Sequence, residues 1–407
     1  MIGQRWWGLI VILLLLSVAL HHDLLFLMSL LLGLIGAASY LWTRYCLSGV
    51  SYRRRFGTTR LFYGEETDLD VEIINAKPLP LGWLRAEDEF PADVQLLTGR
   101  LHYSHLPGRR LLINLLSMRW YERVTRHYRI RGTQRGAWQF GPTELISGDI
   151  FGLDTRREQL RETEIVLVYP KIVPITALGL PACRPFGDFA TPRRLSEDPL
   201  RLMGAREYIP GDGFRRIHWK ATARQAQLQS KVFEPSAARS LAIFLNINTF
   251  EFAYEGLDRE LEEFAITAAA SVANYAWEHG YQVGLYVNSV AGRGGGRIRL
   301  RPARHPDQLI LIFEALARVI DLGRWPLEAV LQAESGALPY GTTVVTVTPL
   351  LNDRLRNALV DLRNRGHAVA LLALGKAHLN APLPGIQYYY IGGREVWHEL
   401  ESLRLAP

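Results

Sequence analysis

Two long apolar stretches without a charged residue lie at the start of this sequence, and they limit what the rest of the chain can be. Trp6–Leu20 and Leu24–Thr43 are separated by a polar tripeptide at 21–23. A helix needs about 20 apolar residues to cross the roughly 30 Å hydrocarbon core of a bilayer. The second stretch has that length, and the first reaches it when it is extended to Ile2. The sequence therefore predicts two transmembrane helices within residues 1–43.

A cleaved signal peptide is the alternative for the first stretch. It would require small residues at a cleavage site, but Ala19 is followed by Leu20 and the polar tripeptide. Arg5 precedes the first stretch and Arg44 follows the second, whereas the tripeptide contains no Lys or Arg. Because cytoplasmic flanks are enriched in Lys and Arg, we expect a multi-pass protein of a bacterial inner membrane, with its N-terminus and main body in the cytoplasm.

The composition indicates a folded body behind this anchor. Hydrophobic residues make up 48% of the chain and charged residues 21%, which excludes a disordered or collagen-like protein. The two cysteines, Cys46 and Cys183, are too few for a disulfide scaffold or a four-cysteine zinc site. The net charge of +7 suits an anionic membrane surface or nucleic acid, or it reflects a general preference for arginine.

Three patterns divide the body, and together they predict an α+β multidomain protein. Thr67–Ile73 alternates apolar and acidic residues, and residues 44–170 as a whole show short strands with Gly and Pro turns, which predicts an immunoglobulin-like β-sandwich. Residues 171–239 are rich in Pro and Arg and are predicted to form an irregular linker. In residues 240–407 strands and helices alternate, which predicts a doubly wound α/β domain with a mostly parallel sheet.

The linker contains the densest group of functional candidates, in residues 206–224. A Pro-Gly-Asp-Gly turn precedes a stretch in which Arg, His, Trp and Lys are adjacent. The candidate residues of this signature segment are Arg206, Tyr208, Gly211, Asp212, Arg215, Arg216, His218, Trp219, Lys220 and Arg224. They predict a partner-docking patch, in which Arg supplies planar donor forks, or a structural clamp. We expect a combination, in which Trp219 is structural and Arg215 and Arg216 are partly available to the partner.

The signature segment resembles that of the DUF58 family, whose pattern is close to R-x-Y-x-x-G-D-x-x-R-x-I-D/H-W-x-x-x-A-R. Residues 131–153 and 167–175, which contain D-I-F-G-L and V-Y-P, are similar to two further family segments. The resemblance covers essentially the whole chain and implies a membrane-tethered protein with an immunoglobulin-like domain and a von Willebrand factor A-like (vWA-like) domain. It also implies a MoxR-type AAA+ ATPase as a partner. The family often has Asp where this chain has His218.

The vWA-like domain implied by the resemblance raises the question of a metal site. Many such domains bind Mg2+ through Asp-x-Ser-x-Ser after the first strand, since Mg2+ prefers hard oxygen ligands. The corresponding residues here are Asn246, Asn248 and Phe250, which provide two neutral amides and no hydroxyl. We therefore expect a degenerate site without a metal, and no cofactor. Asp258 and Glu260 follow on an amphipathic helix, where we expect them to be solvated.

A second basic run lies in the predicted sandwich. Its members are Arg119, Arg123, Arg126, Arg129, Arg131 and Arg135. The run predicts a solvated strand face or a contact with anionic lipid headgroups, and we do not expect a membrane-anchored body to bind nucleic acid through it.

The motifs of common enzyme classes are absent from the sequence: it contains no Walker A, Gly-x-Ser-x-Gly or His-Glu-x-x-His motif. It therefore predicts a non-enzymatic, membrane-anchored adaptor or assembly protein. Its vWA-like domain would bind a protein partner at the crevice beyond the carboxyl ends of the strands. Two alternatives stay open: a hydrolase that uses the region of Asp212 and His218, and a structural envelope protein without an ATPase partner.

Overall fold

A computed structural model describes residues 2–21, 23–178, 197–210, 212–235, 240–251, 256–292, 295–320, 323–339, 341–377 and 383–402. The chain divides into two units, Met1–Pro170 and Lys171–Pro407. Each unit contains its own sheets, and helices are present in both. The α+β class expected from the sequence is therefore confirmed.

Two antiparallel helices form the N-terminal part of the first unit. Helix α1 covers Ile2–Ala19 and α2 covers Asp23–Tyr45. His21 in the turn between them adopts a left-handed conformation, with φ 55°. The Cγ2 of Ile10 lies 3.7 Å from where a Cβ would stand on Gly33. Since both residues are equally distant from the turn, the helices run back along each other.

Among the described helices, α2 is the one that is long and apolar enough to cross a membrane. The apolar part of α1 is shorter and covers Ile10–Ala19. Large apolar side chains of α2 have no protein neighbour over much of their surface; Leu24, for example, is 67% exposed. The chain therefore has one N-terminal helix that is compatible with membrane anchoring.

Twelve described strands follow in the first unit. They are β1 (Val50–Phe56), β2 (Arg60–Leu61), β3 (Glu66–Asn75), β4 (Leu81–Pro91), β5 (Val94–Leu96), β6 (Leu101–Tyr103), β7 (Arg109–Met118), β8 (Arg123–Gly132), β9 (Gly136–Phe140), β10 (Thr143–Gly148), β11 (Thr155–Leu160) and β12 (Glu164–Val168). They form sheets of order β1-β3-β8-β5, β11-β10-β4-β7-β6 and β2-β12-β9.

The two larger sheets share one apolar core. In β3, Leu69, Val71 and Ile73 are fully buried, as the alternating pattern of the sequence predicts. They belong to the same cluster as Leu84 and Phe90 of β4, which lies in the other sheet. The intervening acidic residues of β3 therefore lie on the opposite face of their sheet.

A buried ion pair joins these two sheets. Arg54 of β1 makes two hydrogen bonds to Asp88 of β4, with N–O distances of 2.9 and 3.0 Å. The hydroxyls of Tyr52 and Thr143 donate to the same carboxylate, at 2.8 and 3.0 Å. Burial, and then the proximity of Asp88, raises the pKa of Tyr52 well above its ordinary value, so its hydroxyl remains a donor. Because both charges are removed from water, each depends on the other.

The second unit begins with a hairpin and continues with alternating strands and helices. Its described elements are a 3-10 turn (Ile175–Leu178), β13 (Glu197–Glu207), a 3-10 turn (Phe214–Arg216), α3 (Trp219–Gln225), β14 (Gln229–Pro235), β15 (Ser240–Leu245), α4 (Arg259–Glu278), β16 (Gln282–Val290), β17 (Arg297–Ala303), α5 (Gln308–Ala317), α6 (Leu327–Ser335), β18 (Thr343–Thr348), α7 (Asp353–Asn364), β19 (Ala368–Ala373), β20 (Gln387–Tyr390) and α8 (Arg394–Ser402).

Six of these strands form a mostly parallel sheet of order β17-β16-β15-β18-β19-β20. Strand β17 is antiparallel to β16, and the other pairs are parallel. Ala242 and Phe244 of β15 pack with α6 and α7 on one face. Successive side chains of a strand alternate, so the fully buried Leu241 and Ile243 face the other side. The order reverses between β15 and β18, and their carboxyl ends define a crevice there.

The structure corrects the prediction for residues 171–239. Within their described part, β13 and β14 pair in antiparallel register, with Arg206 opposite Ser230. Helix α3 lies between them in sequence. This pairing joins backbone segments that are more than twenty residues apart, so no local periodicity reveals it. The prediction for residues 179–196 falls outside the described residues.

Candidate functional site

The signature segment forms the end of the β13–β14 hairpin, and we call residues 208–228 the signature tip. The N–H of Tyr208 donates to the carbonyl of Leu228 at 2.9 Å, which closes the tip at its base. Tyr208 itself is half-buried. Gly211 lies outside the described residues, as does the side chain of Arg215. The tip is therefore a segment whose two ends are joined by the paired strands β13 and β14.

Asp212 holds the turn of the tip to both strands. Its carboxylate accepts hydrogen bonds from Ser230 of β14 at 2.8 Å and from the N–H of Ile209 at 3.2 Å. It also pairs with the guanidinium of Arg206 on β13, at 2.7 Å. The hydrogen bonds from Ser230 and Ile209, followed by Arg206, hold the pKa of Asp212 below its ordinary value. Asp212 is therefore the acceptor that fixes the turn between the two strands.

His218 caps α3. The ring Nδ1 of His218 accepts a hydrogen bond from the backbone N–H of Ala221 at 3.1 Å. The backbone N–H of His218 donates to the carbonyl of Gln229 at 2.7 Å. Asp is among the preferred residues at a helix N-cap because its side chain can accept such a bond. Asp, which the DUF58 pattern often has at this position, and the imidazole of His218 can therefore serve the same capping role.

The structure contradicts the expectation that Trp219 anchors the segment. Trp219 is 67% exposed, and no residue of α3 is buried. Ile217, which precedes the helix and forms a bridge with Ser230, is 3% exposed and takes the inward position. The bridge between Ile217 and Ser230 turns Ile217 inward instead of Trp219.

The signature tip therefore exposes apolar side chains together with cations. Phe214 is 81% exposed, and Ile209 and Leu228 are also exposed. Lys220 and Arg224 of α3 are exposed too, and so is Arg216, which has an interaction of its own. Exposed aromatic residues on a fixed backbone mark binding surfaces more often than single surface apolar residues do.

At the crevice of the six-stranded sheet, the amide groups bind one another. Asn246, directly after β15, donates from Nδ2 to Oγ1 of Thr348 at 3.0 Å. Its Oδ1 accepts from Nδ2 of Asn288 on β16 at 2.8 Å and from the N–H of Asn248 at 3.1 Å. Asn288 also accepts from the N–H of Ile247, at 2.8 Å. We call Asn246, Asn288 and Thr348 the amide network.

Asn248 and Phe250, the other two positions of the expected degenerate metal site, also contact other parts of the protein. A Cβ on Gly323 would stand 2.2 Å from Oδ1 of Asn248 and 2.8 Å from Nδ2 of Asn288, so the backbone at 323 covers both amides. The ring of Phe250 lies 5.2 Å from Nζ of Lys376. Neutral amide groups that already bind one another are poor ligands for a hard dication. Among the described residues, no group of three or more His, Cys, Asp or Glu could hold a metal ion.

We expect millimolar Mg2+ to leave the thermal midpoint of the full-length protein unchanged, because no charged oxygen of the amide network is available to it. Thermal unfolding in the presence of Mg2+ or of a chelator measures this. A ligand at about 100 times its dissociation constant would add about 2.7 kcal/mol. A rise of several degrees with Mg2+ would show that a cation binds the folded chain.

The structure corrects the prediction that Asp258 is solvated. Asp258 is buried, caps α4 by accepting from the N–H of Leu261 at 3.3 Å, and pairs with Arg394 of α8 at 2.5 Å. Glu260 is partly exposed and lies 3.8 Å from the same guanidinium. The partner comes from the far end of the chain, so the helical pattern alone could not reveal it.

Three arginines of the second basic run pair with acids on the neighbouring strand. In the register of β8 with β3, Arg131 lies opposite Glu66 and Arg129 opposite Asp68. Both pairs are in ion-pair contact, and Arg123 reaches Glu72 at 3.3 Å. Cross-strand pairs of opposite charge stabilise a sheet. The charges of these three arginines are therefore offset by acids of β3.

A protein-family model matches the part of the chain that contains the signature tip. Residues 204–313 match the model of the family described as protein of unknown function DUF58. This range contains the signature tip, Asn246 and Asn288. The part of the chain that carries these candidate residues therefore matches the DUF58 family model, and the resemblance seen in the sequence is confirmed.

A relative with the same family resemblance is the uncharacterized protein YeaD of Bacillus subtilis (strain 168). It is 24% identical over 242 residues, which cover 59% of this chain and 56% of YeaD. The chain therefore matches little more than half the length of this relative.

Solved structures show weaker likenesses. The CARDB domain of a Pyrococcus furiosus protein is 11% identical, with a TM-score of 0.20, over 29% of this chain and 91% of that domain. A cohesin module of a Clostridium perfringens glycoside hydrolase is also 11% identical, with a TM-score of 0.20, over 30% and 95%. At these TM-scores the likenesses carry no argument, and the fold is described from its own strand order.

Proposed function

We propose that this chain is a membrane-anchored, non-enzymatic adaptor or assembly protein that docks a protein partner on the signature tip. The observation that supports it most is the exposure of Phe214 and Trp219 on a backbone that Asp212 and His218 hold in place. A binding surface gains affinity when the backbone that carries its side chains is already ordered before contact. The tip lies within the range that matches DUF58.

The finer fold assignments belong to this proposal. We infer that residues 44–170 form an immunoglobulin-like sandwich, which is supported by the two antiparallel sheets around one core. We also infer that residues 240–407 form a vWA-like domain. The reversal of strand order between β15 and β18, and the antiparallel edge strand β17, support this inference.

Partner binding is better supported at the signature tip than in the crevice. The polar groups of the amide network bind one another, so they offer few free donors or acceptors to a partner. The tip combines exposed aromatic residues with the cations Lys220 and Arg224. Such a surface suits a protein partner with apolar and acidic groups, and the DUF58 resemblance indicates a MoxR-type AAA+ ATPase.

The membrane anchor would be the helical hairpin. Helix α2 has the length to span the bilayer, and α1 packs against it through Ile10 and Gly33. We propose that both helices cross, which makes the protein multi-pass. The positions of Arg5 and Arg44 then place both ends of the hairpin in the cytoplasm.

We prefer the adaptor to the hydrolase alternative because of what Asp212 and His218 do. Asp212 is engaged by Arg206, Ser230 and the backbone, and the Nδ1 of His218 caps α3. A catalytic dyad would need these groups to face a substrate. A structural envelope protein would not bind a partner through the exposed aromatic residues of the tip. Capture experiments therefore distinguish this alternative from the adaptor.

We expect Phe214→Ala and Trp219→Ala each to weaken capture of a MoxR-type AAA+ ATPase by about 30-fold, which corresponds to about 2 kcal/mol. Both side chains are exposed, so thermal stability should stay within about 0.5 kcal/mol of the wild type. The measurement is pull-down from detergent with purified ATPase, together with thermal unfolding of each variant.

Tyr103→Ala is the matched control, because Tyr103 is 99% exposed but lies in the first unit. It should leave both capture and stability unchanged. If Phe214→Ala and Trp219→Ala capture the ATPase as well as the wild type does, the tip is not the docking surface.

A further inference from the structure

The turn between β10 and β11 exposes two large apolar residues that the proposed function does not use. Ile150 is 59% exposed and Phe151 is 53% exposed. They belong to the D-I-F-G-L part of the segment that resembles the DUF58 pattern. We call residues 149–154 the apolar turn.

The apolar turn has a fixed shape. Asp149, which is 1% exposed, accepts hydrogen bonds from the N–H of Phe151 at 3.2 Å and from the N–H of Asp154 at 3.0 Å. Gly152 has a φ of 72°, a left-handed conformation that glycine adopts at little cost. The hydrogen bonds of Asp149 and the conformation of Gly152 therefore define the turn that exposes Ile150 and Phe151.

The apolar turn lies close to the end of α2. Arg156, just after the turn, donates from its guanidinium to the carbonyl of Arg44 in the last turn of α2. Strands β10 and β11 both contact α2. Cys46 and Leu47 follow α2 directly and are buried in the core of the same unit. The end of α2 and the apolar turn therefore lie side by side in the packed first unit.

From this geometry we propose that the apolar turn inserts Ile150 and Phe151 into the interfacial layer of the bilayer that α2 crosses. The occupant of this surface is lipid, because the turn is tied to the end of the membrane helix and has cations beside it. Arg44 and Arg156 are both exposed and suit anionic headgroups. The inference rests on the proposed membrane span of α2.

This contact would determine how the first unit stands on the membrane. A single helix end allows the attached domain to tilt, whereas a second membrane contact on the same packed unit restricts that tilt. Aromatic and aliphatic side chains at headgroup level, flanked by Arg, form such interfacial anchors.

Photo-crosslinking of the full-length protein in vesicles tests the proposal. Benzoylphenylalanine replaces Phe151, Leu31 or Tyr103 in three separate variants, and the vesicles contain phosphatidylcholine with a minority of phosphatidylglycerol. Leu31 is an exposed residue of α2 and reports whether that helix lies in lipid. Tyr103 is on β6, at the opposite edge of its sheet from β11, and serves as the exposed control outside the membrane.

We expect a lipid mass addition at positions 31 and 151 and none at position 103. An addition at position 31 without one at 151 would overturn the insertion of the apolar turn and leave the membrane span of α2 intact. No addition at position 31 would overturn the membrane span and the insertion with it. If crosslinking in native membranes joins position 151 to a protein, the apolar turn binds that protein and the lipid assignment is wrong.

Discussion

Asp88→Ala is expected to lower the free energy of unfolding by about 3–5 kcal/mol. The substitution leaves the guanidinium of Arg54 buried between two sheets without its carboxylate, and it removes the acceptor of Tyr52 and Thr143. Urea or thermal unfolding of the full-length protein in detergent, followed by tryptophan fluorescence, measures the change.

The control for this prediction is Glu66→Ala. Glu66 pairs with Arg131 on the exposed face of the neighbouring sheet, where an ion pair contributes about 0–1 kcal/mol. The double variant Arg54→Met with Asp88→Leu removes both buried charges and should lose less stability than Asp88→Ala, although the hydroxyls of Tyr52 and Thr143 still lack their acceptor. If Asp88→Ala were as stable as Glu66→Ala, water would have to reach Arg54 in the folded protein.

Asn288→Ala is expected to lower the free energy of unfolding by about 3 kcal/mol, since it leaves several buried polar groups without partners. Asn288 is fully buried and binds Asn246, the N–H of Ile247 and the carbonyl of Trp325. The same unfolding measurement reports the loss.

Asn274→Ala provides the comparison for Asn288→Ala within the second unit. The amide of Asn274 on α4 makes a surface hydrogen bond to Glu278, so its removal should change stability by no more than about 0.5 kcal/mol. An Asn288→Ala protein that unfolds like Asn274→Ala would mean that water replaces the lost hydrogen bonds in the crevice.

The elements with a strong local period were predictable from the sequence. The alternation of Thr67–Ile73 marks β3, and the charge-free stretch Leu24–Thr43 lies within α2. Gly280 and Gly366 follow α4 and α7 with φ of 79° and 91°, and a glycine just after a helical pattern is a general stop signal. These features depend on neighbours a few residues away, so the order of residues is enough to identify them.

The candidate site was predictable in part. The sequence identified Asn246 and Asn248 because they follow a strand at a known position, but it did not identify Asn288. That residue lies 42 positions further on, near the carboxyl end of the mostly apolar strand β16, and joins the network because β15 and β16 are parallel neighbours. A single Asn inside a strand carries no signal by itself, although a buried polar group requires a partner.

The apolar helices, the strand–helix alternation of residues 240–407 and the DUF58 signature can all be recognised from the order of residues alone. The tertiary structure decided which side chains of the signature face inward, since the bridge between Ile217 and Ser230 buries Ile217 and leaves Trp219 exposed. It also decided that the basic run of β8 meets the acids of β3. Both outcomes depend on pairing register, and a shift of one residue would exchange the buried and exposed faces of a strand.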